Sequence, residues 1–159
     1  MPMRRNLLAG LFSALLLQAS AAFADAFDDA NQALLDGDVE NGLASMNALA
    51  ESGDPLMQYK VGVALINFST DDGIRWISTA ADRNYAEAQR EIGTLYAHGI
   101  GVHRDLPSAF KWLYLAQDNK LDKASRKETR RLARQVFAEM SVRERYSAKQ
   151  MIRYWVPRQ

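Results

Sequence analysis

The sequence predicts an all-α protein, a short α-solenoid of stacked antiparallel helix pairs closed by a C-terminal helical cap. Three observations predict it. Apolar residues recur at intervals of three and four rather than two, helix start and stop signals fall between these runs, and two stretches return further along the chain at offsets of 31 and 36 residues.

Residues 1–24 read as an address. Arg4 and Arg5 give a positive start, Leu7 to Leu17 a short apolar stretch, and Ala22-Phe23-Ala24 the small residues a signal peptidase requires, so cleavage is expected after Ala24. The apolar stretch is well short of the ~20 residues that span a bilayer. The expected destination is periplasmic or secreted.

The helices follow in order. A first run near Ala26 to Leu35 stops at Gly37, and Asp38 can cap a second that reaches about Glu51. Asp54-Pro55 is a strong start for a third, to about Ile66: Asp accepts from exposed amides, and proline lacks a donor where none is needed. Asp71 can cap a fourth that ends near Arg83, with Asn84 suited to a left-handed turn. A fifth spans roughly Ala86 to His98, and a sixth follows Asp105 to about Asp118.

The repeat lies within this series. Tyr59-Lys60-Val61-Gly62 returns 31 residues later as Arg90-Glu91-Ile92-Gly93, and Trp76-Ile77-Ser78-Thr79-Ala80 returns 36 later as Trp112-Leu113-Tyr114-Leu115-Ala116. The five-residue difference is assigned to the connecting loop. A fainter copy precedes both, with Ala50 to Asp54 matching Ala81 to Tyr85. Gly62 and Gly93 let helices approach closely, Ala80 and Ala116 keep the partner helix near, and Trp76, Tyr96 and Trp112 fill the spaces between units. Gly99 suits a helix C-cap.

Ala88, Ile92-Gly93, Tyr96, Gly99-Ile100-Gly101-Val102, Asp105, Ala109, Trp112 and Ala116 resemble, in order and spacing, the signature of Sel1-like repeats, relatives of the tetratricopeptide repeat. The resemblance is specific over residues 86–120. It is degenerate over 55–84, where Gln58, Val61-Gly62, Trp76 and Ala80-Ala81 are kept but the Gly-x-Gly-Val loop is missing, so that turn is expected to differ. It implies a right-handed α-solenoid over residues 25–120 and a role in assembling or regulating protein complexes, often at the cell envelope.

Residues 121–159 differ. Leu132, Val136, Phe137 and Met140 form one apolar stripe, and Ser141 with Glu144 makes a capping box that starts a last helix carrying Ala148, Met151, Ile152 and Trp155 before Pro157. This reads as a terminal capping pair covering the last core face. Charge is segregated in step: residues 25–119 hold 6 Lys and Arg against 15 Asp and Glu, and residues 120–159 hold 12 against 4.

Little in the sequence points to catalysis. No cysteine is present, which excludes thiolate metal sites and cysteine nucleophiles. His98 and His103 flank a glycine turn and lack a third ligand, so no metal and no cofactor is expected. Gly99-Ile100-Gly101 follows no strand and precedes no Gly-Lys-Ser/Thr, so it is not a phosphate cradle. Asp28-Asp29 and Asp71-Asp72 sit at predicted helix edges, where they favour the dipole. A cell-wall-acting enzyme is therefore the least favoured reading.

The leading expectation is an interaction module whose inner groove holds a segment of another envelope protein. The first helix of each pair supplies the inward candidates: Tyr59, Val63, Ile66 and Asn67, then Glu87, Arg90, Thr94 and His98. The basic run Lys123, Arg126, Lys127, Arg130, Arg131 and Arg134 offers an alternative, contact with an anionic membrane or cell-wall surface. Export argues against nucleic acid.

Overall fold

The computed structural model describes residues 22–117 and 121–158, which form eight helices and no strand. They are α1 (22–35), α2 (Val39–Ala50), α3 (Pro55–Leu65), α4 (Thr70–Asp82), α5 (Ala86–His98), α6 (Leu106–Gln117), α7 (Lys123–Glu139) and α8 (Val142–Arg153). The address segment lies outside the described residues up to residue 21. Residues 22–24 fall in α1, which places Asp28 and Asp29 inside a helix rather than at its edge.

The chain divides into two compact units, Met1–Leu49 and Ala50–Gln159. In the first, α1 and α2 approach so closely at Gly42 that a Cβ there would lie 2.6 Å from Leu34 Cδ2. In the second, α3 packs on α4, α4 on α5, α5 on α6, and α6 on both α7 and α8. Each helix pair thus covers the apolar face its neighbour cannot bury alone, which is the organisation of a solenoid.

The helix starts follow from local chemistry. Asp54 accepts from the Leu56 amide at 3.0 Å, Asp105 from Ser108 at 3.2 Å, and Asp122 from Ala124 and Ser125 at 2.8 and 3.0 Å. Ser141 and Glu144 form a reciprocal capping box. One cap differs from expectation. Asp71 lies within α4, whose N-cap is Ser69; the Ser69 hydroxyl donates to Asp72 at 2.8 Å, so the cap lies two residues earlier.

The repeat is visible as geometry. The side chain of Gln58 donates to the Ala50 carbonyl at 3.3 Å, and that of Gln89, 31 residues on, donates to the Ala81 carbonyl at 3.2 Å. Each buried amide therefore ties one helix to the end of the helix before it. Gly53 and Asn84 occupy the same left-handed turn, with φ of 84° and 67°. Trp76 and Trp112 are equivalent interior residues, 6% and 7% exposed. Ala30, Met46 and Ala50 are buried like Val61, Ile77 and Ala81, each 31 residues further on.

The five extra residues of the last copy do not all lie in the loop. Two of them lengthen α5, which has 13 residues where α3 has 11; the rest separate the four-residue turn 66–69 from the seven-residue loop 99–105. The longer loop turns through Gly99 and Gly101, at φ of 70° and 66°, and the Asp105 amide donates back to the Tyr96 carbonyl at 3.1 Å. The short turn needs no positive φ. Its Phe68 and Ser69 amides donate to the Leu65 carbonyl at 2.9 and 2.8 Å.

Two apolar clusters hold the second unit together. One joins Ile77, Ala80, Ala81, Ala88, Ile92, Leu95 and Trp112. The other brings Ala97, Ala109 and Leu113 of the repeat against Ala133, Val136, Met140 and Ala148 of the cap. The tail beyond α8 then returns across the repeat: Trp155 meets Trp112 edge to face at 6.2 Å, and the Arg158 amide donates to the Asp82 carbonyl at 2.8 Å.

Candidate functional site

Three of the eight inward candidates meet at the seam between α3 and α5. The rings of Tyr59 and Tyr85 lie 5.4 Å apart. Arg90 lies beside Tyr59, and Glu87 beside Tyr85. Burial, reinforced by the nearby carboxylate of Glu91, raises the pKa of Tyr59; burial and Glu87 push that of Tyr85 up to about 12. Both phenols stay neutral hydrogen-bonding groups throughout the physiological range.

Arg90 connects this seam to a second feature. With Thr94 and His98 it lines one side of a cavity of about 230 Å³, whose other side is Glu128, Thr129, Arg131, Leu132 and Gln135 of α7. The Thr94 hydroxyl donates to the Arg90 carbonyl at 2.9 Å. His98 Nδ1 lies 2.9 Å from the Thr94 carbonyl, so the ring donates there and presents Nε2 outward. The Nε–H of Arg90 is buried with no acceptor. A carbonyl or carboxylate entering the cavity would meet Arg90, Thr94 and His98 on one side and Arg131 on the other.

The remaining candidates do not join this arrangement. Ile66 packs against the core, while Val63 on α3 and Asn67 in the turn that follows are exposed. The α7 wall was missed at the level of sequence, although Glu128, Arg131, Leu132 and Gln135 share the three-and-four spacing of one helix face. Periodicity marks a face but does not say which helix it will oppose.

The basic run lies on α7 as expected. Lys123, Lys127, Arg130, Arg131 and Arg134 are exposed, and the ion pairs of the described residues, Arg75–Asp72, Arg90–Glu91, Arg104–Glu139 and Arg158–Asp82, involve none of them. Arg126 differs, donating to the Leu121 carbonyl at 3.0 Å. Beside this run, α6 and α7 enclose a groove of about 430 Å³ lined by Phe110, Tyr114, Ala133 and Phe137, with Arg130 and Arg134 among its walls.

Among the described residues no group of three or more His, Asp or Glu is placed to hold a metal, and no helix is long and apolar enough to cross a membrane.

Neither a family model nor a curated protein matches the chain. Its fold is nevertheless shared with a solved structure, a protective antigen present in uropathogenic Escherichia coli strains that displays a Sel1-like repeat fold. The match has a TM-score of 0.61 at 21% identity and covers 72% of this chain. The chain spans about a quarter of that protein's length, 25%.

Proposed function

We propose that this chain, an α-solenoid with the Sel1-like repeat fold, is an exported protein-interaction module that grips an extended segment of an envelope protein between α5 and α7. The cationic side chain of Arg90 in the cavity wall, with Arg131 on the opposite side, carries this reading, since the pair offers charge-assisted donors to an acceptor that enters. Thr94, His98, Arg131 and Gln135 surround it with further polar groups, and Leu132 adds an apolar contact. The partner's complementary feature is therefore a backbone carbonyl or acidic side chain. Hydrogen-bonding groups of this kind serve binding, and no positioned nucleophile and base accompany them, so the reading is a scaffold or adaptor rather than an enzyme.

The test is capture from periplasmic extract by the full chain and by Arg90→Ala and Arg131→Ala variants. A partner recovered by the wild type and lost from both variants, at unchanged helical content, is the expected outcome. Equal recovery by all three would end the reading. Mass spectrometry of the exported protein is expected to find a first residue of Asp25.

A second reading rests on the exposed cations of α7, which carry no carboxylate partner among the described residues. A cationic helix face is attracted to anionic surfaces. Cosedimentation with phosphatidylglycerol vesicles, absent with phosphatidylcholine and reversed by salt, is its signature.

A further inference from the structure

We infer that the protein associates with itself head to tail, the acidic turn between α1 and α2 of one copy seating in the arginine-flanked aromatic groove between α6 and α7 of the next. This does not depend on the α5–α7 cavity and stands on separate observations.

The first is the separation of charge. Residues 25–59 contain eight carboxylates and no lysine or arginine. Six of them, Asp25, Asp28, Asp29, Asp36, Asp38 and Glu40, are exposed on the first helix pair, and none has a cationic partner among the described residues. The exposed cations of α7 are equally without carboxylate partners among the described residues. A second copy of the chain supplies each surface with what it lacks.

The second observation is shape. Leu35 and Val39 bracket the α1–α2 turn and are 65% and 39% exposed, an apolar pair rimmed by Asp36, Asp38 and Glu40. The turn is a defined knob rather than a loose loop: the Asp36 amide donates to Gln32 and the Asp38 amide to Ala33, both at 2.9 Å. The groove is its counterpart, an aromatic floor flanked by Arg130 and Arg134. That floor is already assembled, with Phe110 5.1 Å from Phe137 and 6.0 Å from Tyr114. Each surface has an apolar centre and a charged rim, and the rims are of opposite sign. This is the usual anatomy of an interface, in which apolar contacts supply affinity and charges set register and encounter rate.

Because knob and groove are different surfaces, the contact is heterologous. Each copy offers both surfaces, so one contact leaves a knob and a groove to be filled by further copies or, reciprocally, by the same pair.

Sedimentation velocity of the full chain is the experiment, run across protein concentration at about 20 mM and about 0.5 M salt. Concentration-dependent growth at low salt and a single monomer at high salt are expected. Asp36→Lys/Asp38→Lys and Arg130→Glu/Arg134→Glu should each weaken association by roughly tenfold or more, since like charges then face each other. Mixing the two variants should restore it, because the reversed knob of one fits the reversed groove of the other. Unchanged circular dichroism keeps loss of fold from imitating the result. A wild type that stays monomeric at low salt overturns the inference, whether or not it binds anionic vesicles. So does association that survives both reversals, or a mixture that does not recover.

Discussion

At Gly93 a hydrogen atom stands where any other residue would put a carbon. A Cβ there would lie 2.8 Å from Leu113 Cγ and 3.2 Å from the Ala109 carbonyl, and one at Gly62 would lie 2.7 Å from Ile77 Cγ1 and 2.8 Å from the Gly73 carbonyl. The second helix of each pair thus rests almost directly on the backbone of the first. Gly93→Ala is expected to lower stability by about 1–3 kcal/mol through overpacking, measured as a shift in urea midpoint. An unchanged midpoint would mean that α6 moves away without loss. Buried Gln89 presents a different case. Its amide donates to the Ala81 carbonyl and to Asn84 Oδ1, so Gln89→Met removes both hydrogen bonds, at a cost of about 1–3 kcal/mol. Gln58→Met is expected to cost less, because the Oε1 of Gln58 is already buried without a partner and its removal relieves a penalty. Paired denaturation curves would settle the order.

At the scale of elements, helix starts rather than helix interiors carry the pH response. The Glu144 carboxyl is held below its ordinary range by the Ser141 hydroxyl and amide, and that of Asp122 by Ser125 and the neighbouring backbone amides. Asp72 is held down by Arg75 and Ser69. In each case the folded state binds the proton less tightly than the unfolded chain does. The stabilisation is therefore complete above the ordinary carboxylate pKa and is lost as pH falls through the depressed folded value. Thermal stability should be flat from neutrality to about pH 5 and decline below about pH 4. Ser141→Ala should lower the melting temperature at neutral pH and make the acid decline shallower. If its curve merely runs parallel to the wild type, the capping box does not carry this titration.

For the molecule as a whole, α7 and α8 complete a core that the repeat begins. Ala97, Ala109 and Leu113 are buried together with Ala133, Val136, Met140 and Ala148. A chain ending at Gln117 would expose that face, and an uncapped solenoid end is expected to lose cooperative unfolding and to aggregate, as read by urea titration and light scattering. A truncated chain as soluble and as cooperative as the full one would show that the cap is dispensable. The tail makes a smaller contribution. Trp155→Ala removes the edge-to-face contact with Trp112 and is expected to cost about 2 kcal/mol or more, while Trp155→Phe retains much of it.

Much of this architecture could be read from sequence, because helices and their repeats are local or evenly spaced. Asp54-Pro55, Asn84, Gly99 and the Ser141–Glu144 box act through hydrogen bonds spanning only a few residues, and each does in the structure what its chemistry requires. Ser69 rather than Asp71 is the N-cap of α4, and its hydroxyl donates to Asp72 in the first turn. The expected groove was only partly legible. Tyr59, Glu87 and Arg90 gather at one seam, yet Ile66 is drawn into the core and Val63 and Asn67 are left exposed, for periodicity gives a side chain's direction around its own axis and not what stands opposite. The opposition of Arg90 to Arg131, and of Phe110 to Phe137, was decided by how α7 docks on the last repeat. That docking depends on burying residues far apart in the chain, such as Leu113 and Val136, and no short stretch of sequence encodes it.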